Sequence, residues 1–524
     1  MWNKLEQWYI LPGLSALALI ATFHPFNIWP LVFVVLVPLY YFVLSSPERS
    51  SLQIFCGGFI TGASFAFFLS FITVVQFHWV AEAYLFTGLV HLGFIPMTLL
   101  GGLVFGANSF GYRYFSGRGF LLTALAGAAL YTASEILLYI LCGGYYFALF
   151  AYAASPVVPL MSMAALGGTF LVSFILVLIN TCIAGALVET SKRRYDFVRP
   201  LVLTISVLLV AIAGNWVYFH ANSGPVVKSV SVAIVQAGSR ASIEFGNEDA
   251  GAFSDSFLQS WLEDAASTSP DIVIYPFSPV QGAVYSGNKD TFNKDILISS
   301  EQSVGEWLGG LVPASTTVML WIASYQNQQF FDEFQFWKQG VSVAQYHKRD
   351  LFPFIDYTPQ WAARLGFFTT PVDAMPGPEE QSLFVDGVHI GAALCSEIQD
   401  QSLVRQDVQH ARLIISAGSE AILDDDEAST YSLKAAQYRA AENNIPVIRA
   451  NILGPSGIIA PDGSFIAHTQ SGSVEVLRGI VQIQPPRRTL FNLLGNLPVI
   501  VGFILILVWA WRVKRRTFSL ENGI

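Results

Sequence analysis

His389-Ile390-Gly391-Ala392-Ala393-Leu394-Cys395-Ser396-Glu397 is a short apolar run that stops on a cysteine, a serine and a glutamate. Too short for a core helix, it reads as a buried strand over His389–Leu394. Similar β-branched or apolar runs stand on both sides of it: Val230–Val235, Ile272–Tyr275, Thr317–Ile322, Val341–Ala344, Leu413–Ile415 and Pro446–Ile448. Helix-like stretches such as Phe253–Ala266 and Tyr431–Asn443 separate some of these runs. Strands alternating with helices predict an α/β domain. In such sheets the residues that handle ligands collect beyond the carboxyl ends of strands. Three places qualify: Tyr275-Pro276-Phe277, Tyr346-His347-Lys348 and Cys395-Ser396-Glu397. By itself a lone cysteine is more often an inert core thiol, and a lone lysine more often a solvated surface charge. Delivered together at strand ends, they can form a nucleophilic site. The Lys348 ammonium then favours the Cys395 thiolate and stabilises an oxyanion, assisted by the Ser396 N–H.

Outward from this domain the composition changes. Of the 524 residues 53% are hydrophobic and only 12% charged, where a soluble chain carries roughly a quarter charged residues. Residues 1–219 hold few of those charges and residues 220–487 hold most. Seven apolar stretches precede the polar domain, at roughly 8–24, 30–45, 53–77, 86–107, 120–141, 157–188 and 199–219, and an eighth runs from about 490 to 511. Each approaches the ~20 residues that a membrane-crossing helix requires. The first is expected to be retained, because Phe23-His24-Pro25 offers no small-residue cleavage site. Lys4, Arg49, Arg113, Arg118, the Lys192-Arg193-Arg194 and Arg199 group, and Arg512, Lys514, Arg515 and Arg516 all fall on one side if eight helices alternate. The opposite loops, 24–29, 78–85 and 142–156, contain no lysine or arginine. Positive charge stays inside, and a long translocated domain is exempt despite Arg487 and Arg488. The expected organisation is a seven-helix transmembrane domain over 1–219 and an outward-facing domain over 220–487. A final transmembrane helix with a cytoplasmic basic tail then occupies 488–524, so both termini are cytoplasmic.

Cys56, Cys142 and Cys182 lie in or beside apolar segments, leaving Cys395 alone in the polar domain with no internal disulfide partner. The net charge of −9 argues against a nucleic-acid partner. No metal-ligand spacing, phosphate loop or nucleotide fingerprint is present, so neither metal nor cofactor is expected. Glu135 lies in the fifth apolar stretch, where a carboxylate either serves a site or is hydrogen-bonded in the packing. His78, Trp79 and Glu82 fall at the outer rim of the expected helices, where aromatics more often anchor the interface than contact a ligand.

Several segments together resemble bacterial apolipoprotein N-acyltransferases, membrane-embedded proteins of the nitrilase superfamily. Phe23-His24-Pro25-Phe26-Asn27-Ile28-Trp29-Pro30 is similar to the family's PPFG-x-WP stretch, and Pro156 to Asn180 to its sixth-helix segment. Val232 to Gln236 is like its opening nitrilase strand. Tyr346 to Pro359 resembles its lysine motif, and Gly391 to Ile398 its cysteine motif. Arg439-Ala440, Arg449-Ala450-Asn451 and Ser456-Gly457 fit its closing stretch. The likeness covers nearly the whole chain. It implies an αββα sandwich beside eight transmembrane helices, placed in the inner membrane with the nitrilase-like domain facing the periplasm. It also implies a Glu-Lys-Cys triad. A phospholipid acyl chain passes to the cysteine as a thioester and then to the α-amine of a diacylglyceryl-cysteine at a lipoprotein's amino terminus. On this resemblance Cys395 is the nucleophile and Lys348 the oxyanion stabiliser. Asp356 takes the place of a supporting Glu, and Glu397 matches the carboxylate two residues after the cysteine. A monomer is expected.

One position departs from the pattern. Where the family carries the general-base Glu after its second strand, this chain has Phe277, and no glutamate occurs between Glu263 and Glu301. Positioned acid–base catalysis contributes about 10²–10⁴-fold, so slow turnover is the expectation. A thiolate favoured by Lys348 needs less help from a base, and Asp356 or Glu397 are candidate substitutes; the sequence leaves these open. Two alternatives stand beside N-acylation of lipoproteins: a catalytically silent relative that binds lipid or lipoprotein, and a Cys–Lys acyltransferase with a different acceptor.

Overall fold

The computed structural model describes residues 9–23, 25–76, 84–144, 148–221, 224–236, 255–276, 283–286, 298–326, 329–353, 355–364, 373–381, 383–418, 430–452, 454–485 and 487–521. The chain divides into two compact units, one of residues 1–222 with 489–524 and the other of residues 223–488. Phe277, His78, Trp79 and Glu82 lie outside the described residues.

The first unit is helical. Its main elements are α1 (Ile10–Thr22), α2 (Val37–Ser45), α3 (Ser51–Gln76), α4 (Tyr84–Phe115), α5 (Phe120–Leu141), α6 (Ala164–Ser191) and α7 (Val198–Ala221). A last helix near the carboxyl end, Leu497–Glu521, belongs to the same unit. Among the described residues, Ser51–Phe71, Phe120–Leu141, Ala164–Ser191 and Val198–Ala221 are long and apolar enough to cross a membrane. Ile10–Thr22, Trp29–Ser45 and Leu497–Val513 are shorter apolar helices.

The stretch expected over 157–188 differs from one continuous helix. Val158–Met161 is a separate turn, α6 begins at Ala164, and its path is broken at Gly167 and Gly168. Gly168 has φ +72°, and a Cβ there would stand 2.6 Å from both Asn496 Oδ1 and the Phe491 ring. Only glycine takes that left-handed backbone without strain and admits so close a neighbour.

Polar side chains inside this unit satisfy backbone groups where helices break. Asn180 donates to the Val32 and Leu176 carbonyls and accepts from Leu36 N, all at 2.9 Å. Glu135 accepts from Phe150 N at 2.5 Å, at the start of the short turn Phe150–Ala154. That bond gives an acceptor to a backbone N–H at the start of the turn.

The second unit is an αββα sandwich. Its first sheet contains β1 (Lys228–Gln236), β2 (Ile272–Tyr275), β3 (Ala283–Ser286), β4 (Ile298–Ser300), β5 (Thr317–Gln326), β6 (Gln329–Lys338), β7 (Val341–His347) and a late strand, Glu475–Ile483, beside β1. The second contains β8 (Leu383–Val385), β9 (Val388–Leu394), β10 (Leu413–Gly418), β11 (Val447–Asn451), β12 (Gly457–Ile459) and β13 (Phe465–His468). Glu475–Ile483 is therefore β14. β1, β2 and β5 run parallel, as do β9, β10 and β11. The seven runs expected to be strands coincide with β1, β2, β5, β7, β9, β10 and β11.

Side-chain alternation builds the layers. Val232, Ile234, Ile274, Met319, Phe334, Phe336 and Tyr346 of the first sheet share one buried cluster with Ile390, Ala392, Leu394, Ile415 and Ile448 of the second. The opposite face of the first sheet, with Ala233, Val273, Leu320 and Trp337, packs on α8 (Asp255–Ala266) and α9 (Glu301–Leu311). The opposite face of the second sheet, with Ala393, Ile414 and Val447, packs on α10 (Gln401–Asp407) and α11 (Thr430–Asn443). Both sheets are covered on both faces, which is why their strands read as continuous apolar runs.

Candidate active site

Tyr346 on β7 and Leu394 on β9 belong to the same inter-sheet core, so the residues that follow them emerge together at one edge of the sandwich. Glu397 ties the two ends. It is 0% exposed; its Oε2 accepts from Leu394 N at 2.7 Å and from the Tyr346 hydroxyl at 3.0 Å. Its Oε1 accepts from Arg349 N at 2.7 Å and Asp350 N at 3.0 Å. With both oxygens used as acceptors, Glu397 is placed as a strut between the β7 and β9 ends.

Lys348 is 1% exposed, and its Nζ donates to Asp356 Oδ2 at 2.5 Å. The same oxygen accepts from Phe352 N at 2.6 Å. Burial works against the ammonium, but the Cys395 sulfur when ionised, together with Asp356 and Asp332, outweighs it and holds its pKa above the usual lysine range. Lys348 is therefore a fixed cation at neutral pH.

Cys395 opens a short turn, Cys395–Gln399, directly after β9. Its φ is +56°, a left-handed conformation that costs a non-glycine residue about 1–3 kcal/mol and persists only where neighbours enforce it. Those neighbours are the Glu397–Leu394 bond, the Arg449 guanidinium donating to Cys395 O at 3.4 Å, and the bare backbone of Gly418. Arg449 is itself held by Ser416 Oγ at 2.7 Å and Ser432 Oγ at 3.3 Å.

The Lys348 ammonium favours ionisation of the Cys395 thiol. The net balance on sulfur nevertheless runs opposite to the expected thiolate. Burial pushes the Cys395 pKa up, the charges of Asp356 and Asp332 add to it, and Lys348 and Arg449 only partly offset them. A thiol shifted in that direction keeps its proton at neutral pH. Glu397 too is pushed up by burial, against the three backbone N–H groups that favour its charge.

Asp332, on β6, was missed by sequence reasoning. Pairing of β6 with β7 sets Glu333 opposite His347 and Phe334 opposite Tyr346, and Lys348 N donates to Asp332 O at 2.8 Å. Asp332 thus stands across the ladder from Lys348, in step with the inward-facing Phe334 and Phe336. The Trp321 indole donates to its Oδ1. Nothing local marks this aspartate; only the register of the hairpin brings it to the site. Among the described residues no cluster of His, Cys, Asp and Glu fit for a metal occurs.

Helix-covered sheets thus carry a strained cysteine at one strand end and a buried lysine at another. Residues 311–489 match the carbon-nitrogen hydrolase family, and residues 15–182 match the apolipoprotein N-acyltransferase N-terminal domain. Along nearly its whole length the chain is similar to apolipoprotein N-acyltransferases. An apolipoprotein N-acyltransferase of Pseudomonas syringae pv. tomato is 24% identical over 522 residues, covering 96% of this chain and 95% of that protein. One of Geobacter metallireducens is 24% identical, covering 91% and 89%. One of Aquifex aeolicus is 26% identical, but the match spans only 41% of this chain and 46% of that protein. Among solved structures, Saccharomyces cerevisiae Nit3, a nitrilase-superfamily member, aligns with 50% of this chain and 92% of its own at 14% identity and a TM-score of 0.36.

Proposed function

We propose that this protein transfers an acyl chain from a phospholipid to the α-amine of a diacylglyceryl-cysteine at a lipoprotein's amino terminus, by way of a thioester on Cys395. The observation that carries this is the geometry around Cys395: a left-handed residue at a strand end, facing the charge of a buried Lys348 that Asp356 holds in place. The sulfur attacks the ester carbonyl carbon, the C–O bond breaks, and the lysophospholipid oxygen leaves with a proton. The free amine then attacks the thioester, an amide bond forms, and the C–S bond breaks. Lys348 faces the oxygen that becomes negative in both steps, with the Ser396 N–H beside it. Phe277 cannot take a proton, so turnover is slower than in relatives that carry a glutamate there.

The chain is proposed to cross the bacterial inner membrane eight times, with both termini cytoplasmic, residues 220–487 in the periplasm, and activity as a monomer. The one-sided distribution of lysine and arginine among the short loops supports that orientation.

The test is to incubate the full chain with phospholipid vesicles, quench in acid, and measure an acyl adduct on Cys395 by mass spectrometry, with Cys395→Ala as control. The adduct is then chased with a diacylated lipopeptide. An adduct that disappears as N-acylated peptide forms is the expected result. No adduct, under conditions that label a glutamate-bearing relative, makes this chain a silent lipid-binding member. An adduct that the lipopeptide never discharges points to another acceptor.

A further inference from the structure

We propose that Asp332 is the acid–base group of this site, taking over the task of the carboxylate that Phe277 replaces. The proposal rests on Cys395 being the nucleophile, as above. Its basis is position. β6 lies between β5 and β7 in the first sheet, and β5 in turn pairs with β2, which ends at Tyr275 two residues before Phe277. A carboxylate at the start of β6 therefore stands on the same sheet, between the strand that should supply the base and the strand that supplies the lysine. Hairpin register sets Asp332 opposite Lys348 on the inward face. The Trp321 indole on β5 fixes one carboxylate oxygen.

The other carboxylates nearby are committed elsewhere. Asp356 Oδ2 accepts from both Lys348 Nζ and Phe352 N, and Glu397 accepts four hydrogen bonds. Glu333, the next residue along β6, points to the opposite face, where its Oε2 lies 3.2 Å from His347 Nδ1. The groups whose charge faces Asp332 are Lys348 and Asp356, from the chain following β7, and Cys395, from the turn after β9. Burial first, then the charge of Asp356, push the Asp332 carboxyl up to about 6, against the pull of Lys348 and of the Trp321 hydrogen bond. A carboxyl poised there exchanges protons near neutral pH in both directions.

The proton balance closes on this one group. The Asp332 carboxylate takes the thiol proton as sulfur bonds to the ester carbonyl carbon. The resulting acid gives that proton to the lysophospholipid oxygen as the C–O bond breaks. The regenerated carboxylate takes a proton from the acceptor amine as the amide forms, and returns it to sulfur as the C–S bond breaks.

The experiment measures single-turnover formation of the Cys395 thioester by the full chain in phospholipid vesicles, from about pH 5 to about pH 8, around the range where such a base titrates. The wild-type rate should rise with pH through a midpoint near 6, because below it Asp332 holds a proton and cannot accept another. Asp332→Asn should lower the plateau by about 10²–10⁴-fold and abolish that rise. Asp332→Glu should keep a rise with a displaced midpoint, which a merely structural aspartate would not do. Adding Phe277→Glu to Asp332→Asn should restore the rate at least about tenfold. Asp332→Asn that keeps both the rate and the rise overturns the proposal while leaving the Cys395 thioester intact. Absence of any wild-type thioester across the pH range overturns the nucleophile, and this proposal with it.

Discussion

Glu397→Gln isolates one acceptor in a buried cluster without changing side-chain volume. The carboxylate serves two pairs of donors, Arg349 N and Asp350 N on Oε1, Leu394 N and the Tyr346 hydroxyl on Oε2. An amide must turn its NH₂ towards one pair, setting donor against donor. Two buried donors then lose their acceptor at about 1–3 kcal/mol each, or roughly 2–6 kcal/mol together. At about 2–4 °C per kcal/mol for a domain of this size class, the unfolding midpoint falls by roughly 4–24 °C. The assay is thermal unfolding of the full chain in detergent, followed by hydrogen exchange of β9 and β10 amides so that the signal comes from residues 223–488. Tyr346→Phe removes a single donor and should cost about 1 kcal/mol. Combined with Glu397→Gln it should cost less than the sum, because both changes act on one bond. A midpoint shift below about 2 °C for Glu397→Gln, under about 1 kcal/mol, refutes the strut.

Other substitutions test the remaining parts. Lys348→Met should lower thioester formation by about 10²–10³-fold, the cost of removing an oxyanion partner; acylation within a few-fold of wild type removes Lys348 from the chemistry. Gly418→Ala places a Cβ 2.6 Å from Arg449 Nη2 and 3.1 Å from Cys395 Cα. It should destabilise by about 1–3 kcal/mol and slow acylation, whereas an unchanged rate and midpoint would mean the neighbours move aside freely. Arg439 Nε lies 2.9 Å from Glu442 Oε2 with both side chains 0% exposed. Arg439→Met should cost about 3–5 kcal/mol, and a paired Arg439→Met, Glu442→Leu change should recover much of it; equal losses for single and double changes would exclude the pair as the cause.

The layers of the polar domain were legible because each doubly covered strand must be apolar on both faces, and the runs around Val232, Ile274, Met319 and Ile390 are. Strands with mixed faces were not: β6, Gln329–Lys338, carries Asp332, Glu333 and Gln335 and breaks no simple pattern. The lysine and cysteine were legible as strand-end residues, and the departure at Phe277 as a substitution. Direction of the thiol's titration was not legible, since it depends on how deeply the sulfur is buried and on an aspartate from another strand.

From the chain alone, residue chemistry determined that an apolar helical part and a polar α/β part coexist, and that Cys395 and Lys348 end strands. What tertiary structure decided is which carboxylates meet them. Near its turn, β6 pairs Lys338 with Val341 and Trp337 with Ser342, but a one-residue shift then pairs Phe336 with Ala344. Without that bulge Phe331, not Asp332, would face Lys348. Strand faces alternate with every residue, so a slip of one position exchanges an apolar ring for a carboxylate, and no local preference in the sequence announces it.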